Sequence, residues 1–118
     1  MTLPLNKETL AAAYDYLCTT PPFNKWNLPE SDDVVFCVGS HPGLRGWYKI
    51  DDKGRHVITI SRRCIGNSTS LISTMAHEIV HLYQRDTRIE TPGAEHNAAF
   101  KKLAKQVCCY HGFDPLLF

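Results

Sequence analysis

Long apolar runs are missing from this sequence. No stretch of about 18 apolar residues, the length that a helix needs to cross a bilayer, occurs among the 118 residues. The first eight residues also lack a basic segment followed by an apolar one, so they do not have the pattern of a secretion signal. We therefore expect neither a membrane span nor secretion, and we predict a cytoplasmic protein.

The cysteines form no recognisable set. They are odd in number and contain no Cys-x-x-Cys pair: Cys18, Cys37, Cys64, Cys108 and Cys109. This usage indicates neither the disulfide framework of a small secreted domain nor a zinc ribbon. Reduced and mostly buried thiols are expected.

Neither sign of charge is in excess. The formal net charge is +1, from 13 Lys and Arg against 12 Asp and Glu. The chain as a whole therefore carries no positive field of the kind that attracts nucleic acid, although local basic patches remain open to it.

The length and the hydrophobic pattern predict one α+β domain spanning residues 1–118. Helices are predicted from about Lys7 to Cys18, from about Ser68 to Asp86, and from Ala94 or Glu95 to Tyr110. Strands are predicted at 34–38, 44–50 and 56–61, joined as a small three-stranded antiparallel sheet. The segment 19–33 contains three prolines and is expected to wrap around the core as a loop.

A short motif, His77-Glu78-Ile79-Val80-His81, lies in the middle of the second predicted helix. Residues four apart on a helix share a face, so His77 and His81 can direct two imidazole nitrogens to one point. In a helix with His-Glu-x-x-His, the two histidines typically bind zinc and the glutamate activates a water molecule. The flanking residues are apolar at helical spacing, where an unpartnered charge is costly. The motif therefore predicts a zinc site with Glu78 as general base; the alternative is a core helix with satisfied polar groups.

A catalytic zinc site needs a third protein ligand and an open position for water. The metzincin pattern requires a histidine at position 87, where this chain has Thr87. Glu95 is a carboxylate near the last predicted helix, but a third imidazole suits zinc better when the first two ligands are imidazoles. His96, at the predicted first turn of that helix, is therefore the predicted third ligand, with a surface histidine as the alternative.

These residues resemble the pattern of the SprT-like zinc metallopeptidases, the Spartan/SprT family. The motif at 77–81, followed by His96-Asn97-Ala98-Ala99-Phe100, matches His-Glu-x-x-His plus His-x-x-x-Phe, and the likeness covers roughly residues 34–110. The resemblance implies a minimal zincin-like metallopeptidase fold without the zinc ribbon of some relatives. It implies zinc-dependent peptide hydrolysis, with DNA-associated proteins as a substrate class, and the following roles: zinc ligands His77, His81 and His96, catalytic carboxylate Glu78, core residue Phe100.

One departure from the family pattern falls beside the third ligand. Residue 97 is Asn where the family commonly has Gly, a change that the predicted helix is expected to tolerate. The exposed strand segment 46–49 is the predicted binding place for the substrate main chain by strand addition. A donor to the oxyanion is left open among Tyr48, Tyr83, Arg88 and His111.

A second functional class is a catalytically silent, zinc-containing module that binds protein or nucleic acid. Basic residues on the strands and the last helix, with Trp26, Trp47 and Tyr48, can be combined into a platform for single-stranded DNA. Solvated surface charge is the alternative. The presence of Glu78 favours the enzyme, because a purely structural zinc is closed by four protein ligands.

Overall fold

The computed structural model describes residues 4–63, 67–89 and 94–118. Its helices are α1 (Lys7–Cys18), α2 (Ser68–Thr87) and α3 (Ala98–His111), and its strands are β1 (Val34–Gly39), β2 (Gly46–Ile50) and β3 (His56–Ser61). Two short 3-10 helices, Phe23–Lys25 and Ser31–Asp33, lie between α1 and β1. The predicted α+β class is confirmed. None of the helices in these ranges is long and apolar enough to cross a membrane.

The sheet is mixed, so the prediction of a purely antiparallel sheet is wrong at one pairing. β2 and β3 form the expected hairpin, but the strand order is β1-β3-β2 and β1 runs parallel to β3. Central strands are buried on both faces, and β3 is the strand whose residues 57–61 are all buried. The pattern of a strand shows which residues are buried but not which strand lies beside it, so the sequence did not determine this order.

The loop between β1 and β2 carries the chain past the end of β3. The Ser61 amide donates to the Arg45 carbonyl at 2.7 Å, and the Ser61 hydroxyl donates to the His41 carbonyl at 2.7 Å. At the other end of β3, Gly54 completes the predicted hairpin turn with a φ of 77°, which glycine adopts without the steric cost of a Cβ atom. These contacts hold both ends of the β2–β3 hairpin. In the strand order β1-β3-β2, β2 is an outer strand of this three-stranded sheet.

The helices cover one side of the sheet, with α2 at the centre of the core. α1 begins where predicted, because the Asn6 side chain accepts a hydrogen bond from the Thr9 amide at 2.9 Å. The loop that follows is held by buried Phe23 and by partly buried Trp26 and Leu28. The core is formed mainly by apolar residues of α1, β3 and α2: Leu10, Tyr14, Leu17, Ile58, Ile60, Met75, Ile79, Val80 and Leu82.

The last helix starts later than predicted. α3 begins at Ala98, because the Asn97 side chain accepts a hydrogen bond from the Phe100 amide at 2.8 Å and caps the helix. His96 therefore lies in the turn before α3 and not in its first turn, and Asn97 is a cap and not a residue inside the helix. The apolar pattern of the sequence extends the helix back to residue 94 or 95. The hydrogen bond of the Asn97 side chain instead starts α3 at Ala98.

Candidate metal centre

α2 brings His77 and His81 onto one face. The helix begins with a reciprocal cap, in which Asn67 accepts from the Ser70 amide at 2.8 Å, and buried residues of its opposite stripe anchor it in the core. His81 follows His77 by four residues, and the Nε2 atoms of the two rings lie 3.3 Å apart. Local helix geometry and burial of the apolar stripe are therefore enough to pair these two imidazoles.

His96 joins the pair from the turn before α3. Its Nε2 atom lies 3.3 Å from the Nε2 atom of His77. The ring of Phe100 packs against all three imidazoles, with centroid distances of 4.4 Å to His96, 4.7 Å to His81 and 5.0 Å to His77. Phe100 is itself only 5% exposed, and its predicted place in the core is confirmed. It forms an apolar support beneath the three-histidine group.

The spacing of the three nitrogens fits a metal ion. All three ligand atoms lie within 4.8 Å of one another. Zinc binds imidazole nitrogen at about 2.0–2.1 Å with tetrahedral geometry, which places two ligand nitrogens about 3.3–3.4 Å apart. The Nε2 distances from His77 to His81 and from His77 to His96 are both 3.3 Å. The group can therefore hold a metal ion, and imidazole nitrogens suit zinc, copper, iron and nickel.

Burial keeps the two α2 histidines in the form that binds metal. It lowers the pKa of His77 to about 4, with a contribution from the nearby His96. It also lowers the pKa of His81 to about 3, with contributions from His77 and His96. The Phe118 backbone acts on the pKa of His77 in the opposite direction, and the rings of His77 and Phe118 lie 5.2 Å apart. Both imidazoles are neutral at pH 7, so binding a metal there needs no release of their protons.

Glu78 lies beside this group in an almost closed environment. Its side chain is 4% exposed, and burial, followed by repulsion from Glu95, raises its pKa to about 8. The carboxyl group is therefore mostly protonated at neutral pH in the metal-free chain. A cation held by the neighbouring histidines would favour the carboxylate form, so Glu78 can change its protonation state near neutral pH.

A cleft of about 700 Å³ opens along this side of the molecule. The edge strand β2 borders it on one side, and His77, Glu78, His81 and His96 border it on the other. A smaller recess of about 230 Å³ is lined by Arg45, Thr74, Glu78 and the end of the chain at Leu117 and Phe118. The three-histidine group is thus accessible to a ligand lying next to β2.

Several residues near the site were missed from the sequence. Arg45 lines the recess together with Glu78, and its charge contributes to the lowered pKa of His77. Glu95 was considered as a ligand but instead acts on the pKa of Glu78. Gln84 borders the cleft. Arg45 could have been found as the cation next to the predicted substrate strand, whereas no pattern in the sequence marks Gln84.

The residues proposed as oxyanion donors are scattered. The Tyr48 side chain lines the cleft, but its hydroxyl lies 2.6 Å from Nδ1 of His56. Tyr83 stacks on Trp26 with a centroid distance of 4.3 Å. The His111 ring is 3.0 Å from the Thr20 hydroxyl, and Arg88 is the left-handed residue that ends α2.

The three aromatic residues of the predicted DNA platform do not share one surface. Trp47 and Tyr48 are neighbours on β2 and so point to opposite faces of the sheet. The Trp47 ring packs across Gly39, while Trp26 stacks on Tyr83. Single-stranded DNA binding stays a prediction, without this platform as its support.

Three imidazoles that converge from α2 and the turn before α3, beside a buried glutamate and an open cleft, give the fold and site of a metallopeptidase-like domain. The family model described as "SprT-like family" matches residues 24–115, and the chain belongs to this family. The resemblance drawn from the His-Glu-x-x-His and His-x-x-x-Phe motifs is therefore confirmed. Neither the curated proteins nor the solved structures contain a match to the chain.

Proposed function

We propose that this protein is a zinc-dependent metalloendopeptidase. The observation that carries the proposal is the pair of 3.3 Å distances that join the Nε2 atoms of His81 and His96 to that of His77, with Glu78 buried beside them. A structural zinc would be enclosed by four protein ligands. Here three histidines line a cleft of about 700 Å³, which supports a site with an open position.

The residues divide into ligands and a proton carrier. His77, His81 and His96 would hold zinc, which when bound supplies Lewis-acid chemistry by acidifying water and polarising a carbonyl. Glu78 would accept the proton of the attacking water and deliver it to the leaving amine. A pKa of about 8 in the metal-free chain suits a group that must both take and release a proton near neutral pH.

The edge strand β2 would hold the substrate main chain. Hydrogen bonds from Ser61 to Arg45 and from Asp51 to Arg55 show which opposed residues of the hairpin are directly bonded. Hydrogen-bonded pairs recur at every second residue of the hairpin, so the amides and carbonyls of Trp47 and Lys49 face β3. Those of Gly46 and Ile50 point away from β3, and both residues line the cleft. An extended peptide added at this edge would lie beside the histidines with little demand on its sequence.

We propose proteins associated with DNA as the substrate class, following the family to which the chain belongs. The site would recognise a peptide main chain through β2. The cytoplasmic location predicted from the sequence stays a prediction.

The test is metal content and casein cleavage by wild type, Glu78→Gln and His96→Ala, each with and without single-stranded DNA. We expect one bound zinc and cleavage in wild type, zinc without cleavage in Glu78→Gln, and loss of zinc in His96→Ala. His41→Ala is the matched histidine control, since His41 is exposed in the β1–β2 loop. It should keep both zinc and activity.

The alternative function makes a different prediction in the same experiment. If wild type binds zinc but cleaves nothing with or without DNA, the catalytically silent binding module is correct and the peptidase is not. If wild type binds no zinc, both functions fail. Stimulation of cleavage by single-stranded DNA would support the DNA-associated substrate class, and equal rates with and without it would count against that class.

A further inference from the structure

A buried amide on α2 is bonded to the residue that follows the third histidine. Gln84 is 1% exposed, and its Nε2 atom donates to the Oδ1 atom of Asn97 at 2.9 Å. Burying an amide without a partner is unfavourable, so losing this hydrogen bond would lower the stability of the folded protein. Gln84 lies one helical turn after His81, on the same stripe of α2 as both histidines. The bond therefore connects the helix that carries two histidines to the turn that carries the third.

Asn97 uses both ends of its side-chain amide. Its Oδ1 atom accepts from Gln84 and also from the Phe100 amide at 2.8 Å, while its Nδ2 atom donates to the Ile89 carbonyl at 3.2 Å. The Ile89 amide in turn donates to the Gln84 carbonyl at 2.9 Å. Gln84, Asn97 and Ile89 thus form a closed circuit of hydrogen bonds, which we name the Gln84–Asn97 clasp.

The clasp fixes the backbone next to His96. His96 is exposed, and its ring lies against those of His77, His81 and Phe100. Two of these are the other histidines of the group, so the position of its Nε2 atom depends on the backbone of the turn. That backbone is fixed immediately after His96 by Asn97 and, through Asn97, by α2.

We propose that Gln84 and Asn97 are positioning residues that set the metal affinity of the three-histidine group through His96. A glycine at position 97 would offer no side chain to accept the Gln84 hydrogen bond, so this clasp depends on Asn97. The inference rests on the metal site of the proposed function but not on proteolysis. Its readout is therefore zinc affinity, measured by competition with a chromophoric chelator, and the visible absorption of the Co²⁺ form.

The first variant is Gln84→Met, which keeps the length and volume of the side chain and removes its donor. We expect zinc affinity to fall about tenfold to a hundredfold, as is typical when a residue that orients a ligand is removed. The Co²⁺ spectrum should also change in band position or intensity, because the His96 nitrogen is displaced relative to those of His77 and His81. Gln106→Met is the matched control, since Gln106 is exposed on α3. It should change neither quantity.

The second variant is Asn97→Ser, which keeps the helix cap but is too short to reach Gln84 and Ile89 as well. It should lower zinc affinity to a similar extent while the metal-free protein stays folded. The double variant should lose little more than Gln84→Met alone, because both changes break the same bond. Since Asn97 is only partly buried, Asn97→Ser keeps the test decisive if Gln84→Met does not fold.

The outcomes separate this inference from the proposed function. Wild-type zinc affinity and an unchanged Co²⁺ spectrum in both variants would overturn the clasp, even if the wild type proves to be a peptidase. So would a loss confined to the thermal stability of the metal-free protein, which is what a purely structural bond between α2 and α3 predicts. If wild type binds zinc without cleaving peptides, the peptidase fails while the affinities of the variants still decide the clasp. If wild type binds no zinc, both fail.

Discussion

At the residue scale, the buried groups of the site respond to pH in opposite directions. Burial lowers the pKa of His77 and His81 from 6.5 to about 4 and about 3, and raises that of Glu78 from 4.5 to about 8. Between about pH 4.5 and 6.5, His77 and His81 are therefore protonated in the unfolded metal-free chain but neutral in the folded one. Glu78 is protonated in the folded chain but ionised in the unfolded one. The unfolded state binds more protons in this window, so stability rises with pH there.

We accordingly expect metal-free wild type to lose stability as the pH is lowered from 6.5 towards 4.5. The measurement is urea unfolding at a series of pH values in the presence of a chelator. His81→Gln, whose side chain does not titrate, should lose less stability over the same range. A difference between the two proteins that stays constant with pH would show that the folded state does not keep His81 neutral.

Above pH 6.5 the behaviour of Glu78 should dominate over that of the two histidines, which are neutral in the folded chain and lose their remaining protons in the unfolded chain. The folded chain holds the Glu78 proton up to about pH 8 while the unfolded chain has lost it. Metal-free wild type should therefore become less stable from pH 6.5 to 8, by at most about 1.4 kcal/mol per pH unit. Glu78→Gln should lack this decline. Parallel stability curves for the two proteins would contradict the raised pKa.

The residues of the site differ in how far the sequence reveals them. The spacing of His77 and His81 is a property of one helix, so the sequence alone was enough to pair them. His96 was chosen by metal chemistry, and the structure brings it to the pair across a segment that includes residues 90–93, which lie outside the described ranges. Arg45 and Gln84 reach the site through packing between elements, which no local pattern records.

At the element scale, α3 supports the site through one aromatic residue. Phe100 packs under the three imidazoles and is nearly fully buried. Phe100→Ala should lower the free energy of unfolding by about 3–5 kcal/mol, the usual effect of truncating a buried phenylalanine. Tyr110→Ala on the same helix should cost less than about 0.5 kcal/mol, because Tyr110 is 57% exposed. Urea unfolding measures both, and equal effects would place Phe100 outside the core.

The edge strand β2 offers a prediction with an internal control. Amides of Trp47 and Lys49 are bonded to β3, whereas those of Gly46 and Ile50 point away from it. In Glu78→Gln mixed with an extended peptide, hydrogen exchange should slow at Gly46 and Ile50 and stay unchanged at Trp47 and Lys49. Unchanged exchange at all four amides would mean that the peptide is not held by strand addition.

At the scale of the whole molecule, the three-histidine group joins two separate parts of the chain. α2 supplies His77 and His81, and the turn before α3 supplies His96. A metal that binds the folded protein but not the unfolded chain should stabilise it by about 2.7 kcal/mol at a free concentration 100 times its dissociation constant. Chelation should therefore lower the melting temperature of wild type. His96→Ala should melt at the same temperature with and without chelator, and a shift as large as that of wild type would exclude His96 as a ligand.

The sequence by itself determined the helices, the strands and the family, and it predicted the four site residues. Each of these depends on periodicity, capping or the spacing of ligand types along the chain. It placed the start of α3 too early and made the sheet antiparallel throughout. Tertiary structure alone decided that β3 lies between β1 and β2, that Asn97 caps α3 and that Gln84 is bonded to it. These features depend on which elements pack together, and the free energy of that packing is shared among residues far apart in the sequence.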